Sequence, residues 1–278
     1  MSLAVLYCDD HVVAIDKPPG LLVHRTDLDR GETRFAVQLL RDQLGVRVWP
    51  AHRLDKGTSG VLVFGLSAAA AAALGRAFDA ATMAKRYVAL VRGWPAPGMV
   101  IDHPLARIRD DYSASSPAAP AQPATTSVHR LAALELPEPD DRHPTSRYAL
   151  VELEPRTGRR HQLRRHLKHA AHPIIGDATY GKGRHNRFIA ERVGVARLWL
   201  HALSIAFPHP ATGVPLTITA PPGAEWQRVL ALPGWRWDAG DDVLNVNDFV
   251  GFDNFIKVFN DPRFINGSIN SLLYIVYF

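Results

Sequence analysis

The chain passes from a polar loop into an apolar strand within residues 51–64, which have the sequence AHRLDKGTSGVLVF. The loop places one carboxylate, Asp55, between two cations, Arg53 and Lys56. The apolar run after Gly60 predicts a buried strand, so a rigid scaffold would hold the Asp55 side chain at its edge. A carboxylate fixed in this way can act as a nucleophile, a general base or a metal ligand. A simple turn aspartate is the commoner explanation for one such residue taken alone.

The composition is that of a folded, basic protein. Of 278 residues, 47% are hydrophobic, which supports a sizeable core in one large domain or two modest ones. The formal net charge of +5 suits a polyanionic partner. Cys8 is the only cysteine, so an intrachain disulfide is excluded and a reducing compartment is expected. With neither a signal-peptide pattern nor a run of 18 apolar residues, the sequence predicts a soluble cytoplasmic protein.

The first half of the chain predicts a hairpin followed by two helices. Residues 3–7 and 12–15 are apolar and flank a turn-forming Asp-Asp pair, which predicts an antiparallel hairpin that opens the fold. We therefore expect no separate RNA-binding module before it. Helical spacing predicts helices over residues 35–44 and 68–79, the second capped by Ser67.

The rest of the chain is richer in strands. Alternating or continuous apolar residues predict strands over 85–93, 127–136, 146–153, 198–207 and 216–219. The Ser-, Pro- and Ala-rich residues 108–126 and the residues 137–144 predict surface loops. Many strands with few helices predict an α+β domain, built on a central mixed or antiparallel sheet flanked by helices and loops.

A second polar segment is strongly basic. Residues 156–168 contain six cations and no acid, with Thr157 as the expected cap of a helix: Arg156, Arg159, Arg160, Arg164, Arg165 and Lys168. A solvated helix face is the ordinary explanation for such a run. Six uncompensated cations around a helix start are better explained by contacts to phosphates.

Several blocks of this sequence resemble the RluA family of pseudouridine synthases, in the order expected for that family. They are residues 16–24 (DKPPGLLVH), 52–60 (HRLDKGTSG), 85–93 (KRYVALVRG), 157–164 (TGRRHQLR) and 172–181 (HPIIGDATYG). Asp16 departs from the family pattern, which has Asn there. The last of these blocks is expected to shape the fold and not the chemistry.

The resemblance assigns roles to individual residues. It implies that Asp55 is the catalytic nucleophile, that Tyr87 lies against the target base, and that Arg164 pairs with Asp55. It also implies that Arg53 fills the space left by a flipped nucleotide. The residues expected to contact RNA are Arg53, Lys56, Lys85, Arg156, Arg159, Arg160, Arg165 and Lys168.

Neither a cofactor nor a metal is expected. The implied reaction moves a base from one ring atom to another, so nothing is oxidised and no group is imported. The sequence contains neither a Gly-x-Gly-x-x-Gly pattern nor a P-loop. The histidines His161, His166, His169 and His172 invite a metal site, but no cysteine joins them and the flanking charge is positive.

The resemblance implies an RNA substrate, but the sequence leaves the particular RNA open. Residues 150–155 and 164–167 are most similar to the tRNA-modifying members, whose target is position sixty-five of tRNA. A ribosomal RNA uridine is the alternative, because all these enzymes share the catalytic blocks. A catalytically inactive RNA-binding module would leave Asp55 and Tyr87 unexplained, and a carboxylate hydrolase would need a second acid at the site.

The C-terminal residues differ in composition from the rest. Alanine is absent from residues 245–278, which hold six of the seven Asn and six of the eleven Phe. Two short stretches there resemble the lead-in to a membrane helix of sugar-transporter permeases. We therefore expect a catalytic domain over residues 1–240, acting as a monomer, and a foreign or fused segment over residues 241–278. An amphipathic extension of this subfamily is the alternative.

Overall fold

The computed structural model describes residues 2–25, 31–79, 83–108, 120–140 and 143–238. The described helices are α1 (Ala36–Leu44), α2 (Ala68–Asp79), α3 (Gln162–His169), α4 (Gly183–Val193) and α5 (Ala224–Leu230). The described strands are β1 (Ala4–Cys8), β2 (Val12–Lys17), β3 (Trp49–Pro50), β4 (Ser59–Gly65), β5 (Ala84–Arg92), β6 (Gly98–Asp102), β7 (Thr125–Leu136), β8 (Ser146–Pro155), β9 (Leu200–Pro208), β10 (Pro215–Thr219) and β11 (Trp235–Trp237).

The described strands form one sheet, whose main path runs β1-β2-β4-β9-β5-β8-β7-β11. Strands β3, β6 and β10 extend it by pairing with β4, β7 and β9. The pair β4 and β9 is parallel, whereas the other strand pairs within the described residues are antiparallel. The mixed sheet with few helices confirms the predicted α+β class.

The predicted N-terminal hairpin and the first two helices are confirmed. Strands β1 and β2 pair antiparallel around a turn in which Asp9 Oδ1 accepts the backbone N–H groups of His11 and Val12, both at 2.8 Å. At the start of α2, the Ser67 hydroxyl oxygen accepts the N–H of Ala70 at 3.1 Å, as a helix cap does. Local sequence chemistry therefore accounts for this part of the fold.

Strand β5 divides the core into two sides. Val88 and Leu90 face an apolar cluster that includes residues of α4 and α5, whereas Ala89 and Val91 face one that includes α3. Tyr87 packs on the α3 side. Because successive side chains of a strand point to opposite faces, this alternation sets the basic helix over the same face of the sheet as Tyr87.

Gly60 lies where β4 pairs in parallel with β9, opposite Ala202. Its φ angle is +105°, and a Cβ atom built on it would lie 2.1 Å from the Ala202 carbonyl oxygen. Only glycine tolerates both the backbone conformation and the close approach. Since Asp55 is five residues upstream, this contact fixes where the polar loop meets the sheet.

Two local predictions were wrong. Strand β6 was not predicted, and β7 begins at Thr125, within the predicted loop over residues 108–126. Thr157 does not cap α3, which begins five residues later, because its hydroxyl donates instead to Gln162 Oε1 at 2.7 Å. Gln162 Oε1 also accepts the N–H of Arg159 at 3.0 Å, so a side chain closes the turn before the helix. Residues 109–119 and 141–142, in the predicted loops, lie outside the described residues.

The C-terminal segment that the sequence sets apart, residues 241–278, also lies outside the described residues. Within the described part of the chain, no helix is both long and apolar enough to cross a membrane. The described chain ends at Asp238, whose carboxylate accepts hydrogen bonds from Arg130 Nε at 2.6 Å and Arg130 Nη2 at 3.1 Å. This ion pair and the pairing of β11 with β7 close the sheet at that edge.

A chain truncated after Asp241 should therefore unfold at the same denaturant midpoint as the full-length protein. The truncation keeps β11 and the ion pair of Asp238 with Arg130, so the contacts that close the sheet are retained. Urea unfolding followed by tryptophan fluorescence measures this midpoint. Truncation after Pro233, which removes β11 and Asp238, is the matched control and should lower the midpoint. A loss of folding in the longer truncated chain would show that residues 242–278 belong to the domain.

Candidate active site

Asp55 and Arg164 meet where the loop before β4 faces the start of α3. Arg164 Nη1 donates to Asp55 Oδ2 at 2.9 Å, so the structure places these two predicted residues in direct contact. The Asp55 side chain is 29% exposed and that of Arg164 is 11% exposed. Within the described residues, no hydrogen bond reaches Asp55 Oδ1, so one carboxylate oxygen is held and the other is available to a substrate.

A buried lysine, Lys17, binds the backbone next to Asp55. Lys17 is fully buried, and its ammonium donates to three carbonyl oxygens: those of Pro18 at 3.0 Å, Leu21 at 2.8 Å and Lys56 at 3.2 Å. Burial lowers the pKa of Lys17 to about 7. Because one acceptor belongs to the residue after Asp55, Lys17 ties the Asp55 loop to the turn that follows β2.

Arg164 is shared between two carboxylates. Its Nε and Nη2 donate to Asp177 Oδ2 and Oδ1 at 2.7 and 2.9 Å, on the side away from Asp55. The Asp177 side chain is 0% exposed. Burial alone would raise the pKa of Asp177, but the hydrogen bonds from Arg164 and from the backbone hold it below its usual value. The same contacts raise the pKa of Arg164 above its usual value, despite its burial.

His161 and Tyr180 complete the surroundings of Asp55. His161 Nδ1 lies 3.1 Å from the Tyr180 hydroxyl, and His161 Nε2 lies 3.8 Å from Asp55 Oδ1. His161 adopts a left-handed backbone conformation with φ of 56°, which is uncommon for residues other than glycine and occurs often at functional sites. Burial, together with the charge of Arg164, lowers the pKa of His161, so the neutral imidazole is favoured.

Tyr87 lies at the start of β5 and is half-buried. It packs against two apolar clusters, one that includes β4 and α1 and one that includes α3. Burial raises the pKa of Tyr87, and the negative charge of Asp55 raises it further. The side chain is therefore a neutral phenol at physiological pH.

The cations expected to contact RNA differ in how far they are available. Arg53, Lys56, Arg156, Arg159, Arg160 and Lys168 are exposed. Lys56 pairs with Glu32, and Arg159 Nε donates to the Pro123 carbonyl oxygen at 3.3 Å. Arg165 is half-buried and donates from Nη1 to the Ala106 carbonyl oxygen at 2.9 Å. Lys85 is also half-buried, and burial lowers its pKa.

The histidines that suggested a metal site serve separate contacts. His166 is buried and bonded to the Thr126 hydroxyl at 2.9 Å and the His103 carbonyl oxygen at 3.0 Å. His169 stacks on the His103 ring at 3.8 Å, and α3 ends there, so His172 is not on the helix. Among the described residues, no group of three or more His, Cys, Asp or Glu side chains is arranged to hold a metal ion.

Sequence reasoning missed Asp177 as a member of the site. The available signal was its position in the block HPIIGDATYG, which was assigned to the fold alone. Asp177 is an acid next to the site, because it binds Arg164 on the side away from Asp55. A hydrolase with two reactive acids is nevertheless disfavoured, since the enclosed Asp177 carboxylate cannot reach a substrate.

Sequence reasoning also missed a buried Ser–His pair between β4 and β9. The Ser59 hydroxyl lies 2.8 Å from His201 Nδ1 and accepts a hydrogen bond from Arg197 Nη2 at 2.6 Å. His201 Nε2 donates to the Ala220 carbonyl oxygen at 2.8 Å, so Nδ1 is the acceptor for Ser59. Ser59 and His201 are both buried, and burial lowers the pKa of His201 to about 4. The pair therefore ties β4 to β9.

Comparisons with known proteins show which family the chain resembles. A family model described as RNA pseudouridylate synthase matches residues 11–169. A tRNA pseudouridine synthase C of Salmonella typhi is 50% identical over 237 residues, which cover 84% of this chain and 91% of the relative. That of Vibrio cholerae is 46% identical over 238 residues, covering 84% and 97%. The solved structure of human RNA pseudouridylate synthase domain containing 1 matches with a TM-score of 0.62 at 27% identity, covering 80% of this chain and 84% of that one.

Replacement of Lys17 by Met should destabilise the protein by about 1–3 kcal/mol at pH 7, because buried carbonyl groups lose their donor. The pKa of Lys17 is lower in the folded than in the unfolded chain, where it is about 10.4. The unfolded chain therefore binds more protons between these two pH values, and the stability contributed by Lys17 rises with pH in that window.

Urea unfolding of the wild type and Lys17→Met at pH 7 and pH 9 tests both expectations. The difference in unfolding free energy should be larger at pH 9. Lys182→Met, which removes an exposed lysine, is the matched control and should leave stability nearly unchanged. A difference that shrinks at higher pH would contradict the assigned direction of the Lys17 pKa.

Proposed function

The chain belongs to the RNA pseudouridylate synthase family, and we propose that it isomerises a uridine of tRNA with Asp55 as the nucleophile. In this reaction the bond between N1 of uracil and C1′ of ribose breaks, and a bond between C5 and C1′ forms. C5 loses a proton and N1 gains one, so the atoms and electrons balance without an oxidant or an imported group. The proposed reaction accordingly needs neither a cofactor nor a metal.

The observation that carries the assignment is the contact between Arg164 and Asp55. It leaves Asp55 Oδ1 without a protein hydrogen bond in the described residues, as a nucleophile requires. Asp55 would attack either C1′ of the ribose or the uracil ring. When bound RNA excludes water, the Arg164 cation would keep the Asp55 carboxylate paired.

Tyr87 would pack against the uracil that leaves the RNA stack. Its position on the face of the sheet below α3 supports this role. As a neutral phenol it can donate a hydrogen bond to a carbonyl oxygen of the base. Because its pKa is raised, Tyr87 stays protonated and is a poor acceptor for the C5 proton in the resting enzyme, which favours a packing role.

The exposed cations of the basic segment would hold the RNA backbone. Arg156, Arg159, Arg160 and Lys168 are exposed close to Arg164 in the chain, where phosphate contacts would set the register of the RNA. Arg53, exposed on the Asp55 loop, would fill the space of the flipped nucleotide. Lys85 and Arg165 would act mainly through their protein contacts, since both are half-buried.

The substrate class is inferred from the relatives. The relatives from Salmonella typhi and Vibrio cholerae are both named tRNA pseudouridine synthase C, which supports tRNA over ribosomal RNA as the substrate. Position sixty-five of tRNA is the target that we propose. We also infer that the enzyme acts as a monomer in the cytoplasm, and that residues 1–240 suffice for activity.

Pseudouridine mapping of total RNA from a strain lacking this gene tests the function and the substrate together. The expected result is the loss of one tRNA pseudouridine and its return when the wild-type gene is restored. Loss of a ribosomal mark with the tRNA marks intact would redirect the assignment to ribosomal RNA. An unchanged map, with no isomerisation by the purified protein, would instead support the inactive RNA-binding module.

Asp55→Asn should lower turnover by at least about 10³-fold while RNA binding survives, because it removes the nucleophile and keeps the shape. Arg164→Met should be similarly severe, since it leaves Asp55 and Asp177 without their shared cation. Single-turnover isomerisation and filter binding of tRNA measure the two quantities. Asp42→Asn, at an exposed position on α1, is the control and should retain activity.

Turnover by Asp55→Asn within about tenfold of the wild-type rate would contradict the mechanism. If Arg164→Met turns over normally and shows only a smaller salt dependence of RNA binding, Arg164 is a phosphate contact instead.

A further inference from the structure

Asp177 is the enclosed partner of Arg164, and it lies beyond residues 11–169, which the family model matches. We propose that Asp177 is a positioning residue, which orients the Arg164 guanidinium so that it binds one oxygen of Asp55 and leaves the other free. The proposal rests on the function proposed above for Asp55. Because the Asp177 side chain is 0% exposed, it would act through Arg164 and not by touching RNA.

The geometry of the guanidinium carries the argument. An arginine facing a single carboxylate commonly binds it through two N–H groups, one to each oxygen. Here Asp177 accepts from Nε and Nη2 in that bidentate manner, at 2.7 and 2.9 Å. Only Nη1 donates to Asp55, at 2.9 Å to Oδ2. Asp177 thus occupies the edge of Arg164 that would otherwise bind both oxygens of the nucleophile.

Asp177 is itself fixed by the turn that it begins. Its Oδ1 accepts the backbone N–H groups of Thr179 and Tyr180, both at 2.9 Å. The backbone oxygen of Asp177 accepts from Asn186 Nδ2 at 3.0 Å, and from the N–H of Gly181 at 3.1 Å. These contacts fix both the side chain and the backbone of Asp177. A residue that orients another side chain must itself be fixed in this way.

The same turn carries Tyr180, which contacts both Arg164 and His161. The guanidinium carbon of Arg164 lies 5.1 Å from the centre of the Tyr180 ring. The Tyr180 hydroxyl meets His161, whose Nε2 lies 3.8 Å from Asp55 Oδ1. One short turn thus contacts both Arg164 and His161, the two residues that lie next to Asp55. Its sequence block therefore does more than connect two elements of the fold.

The test is a double-mutant cycle of Asp177→Asn and Arg164→Met, read by kcat and KM for tRNA. Asp177→Asn keeps an oxygen for the turn but removes the charge, so kcat should fall by about 10²-fold while KM changes little. If Asp177 acts through Arg164, adding Asp177→Asn to Arg164→Met should cause no further loss of kcat. An equal loss in both backgrounds, or a wild-type kcat in Asp177→Asn, would overturn the proposal.

Asp9→Asn is the matched control for lost stability. Asp9 also accepts two backbone N–H groups and a contact from a basic side chain, His209 Nε2 at 2.8 Å, but it lies in the β1–β2 hairpin. It should lower the unfolding midpoint without lowering kcat. If the two variants lose kcat in proportion to their lost stability, Asp177 is structural and the proposal fails.

An activity-independent measurement separates this proposal from the proposed function. In spectra of the ¹⁵N-labelled arginine side chains, the Arg164 Nε–H signal is assigned by its disappearance in Arg164→Met. In the wild type this proton should exchange slowly with water, and in Asp177→Asn it should exchange faster. Fast exchange in the wild type would overturn the positioning role even if the enzyme isomerises uridine. Slow exchange in a protein that forms no pseudouridine would leave the positioning intact and reject the function.

Discussion

The site depends on one half-buried cation that is shared by two carboxylates. Arg164, from α3, binds Asp55 of the loop before β4 and Asp177 of the turn before α4. Removing an ion from water costs several kcal/mol, so such a group is stable only when its charge and its donors are satisfied together. The fold must therefore bring the loop, the helix and the turn together, and the sheet is what positions them.

The sheet meets that requirement through a close contact between strands that are far apart in sequence. Gly60 and Ala202 come together in the only parallel pair among the described strands, with no space for a side chain at Gly60. Next to this contact, Ser59 binds His201 and Arg197 in a buried network. Strand pairing thus fixes the C-terminal end of the loop that carries Asp55. The hydrogen bond from Lys17 to the Lys56 carbonyl oxygen fixes the same loop next to Asp55.

The features that were predictable from the sequence are those encoded locally or in contiguous blocks. The Asp9 turn and the Ser67 cap follow from neighbouring residues, and the contact between Asp55 and Arg164 followed from the family resemblance. The features that were missed depend on partners distant in the chain or on side-chain competition. Strand β6 exists because β7 pairs with it, and α3 starts late because Gln162 takes the Thr157 hydroxyl and closes the preceding turn.

The basic segment shows why charge alone could not separate cations that bind other protein groups from cations that are exposed. Arg164 and Arg165 are adjacent in sequence and equally basic, yet one binds two carboxylates and the other a backbone carbonyl oxygen. Arg156, Arg159 and Arg160 precede the helix and stay exposed. Arg164 and Arg165 lie on α3 and are half-buried against the protein, so the division among these arginines follows the start of the helix. In this chain α3 supplies the cation that pairs with Asp55, and the exposed residues before the helix add positive charge that suits a polyanion.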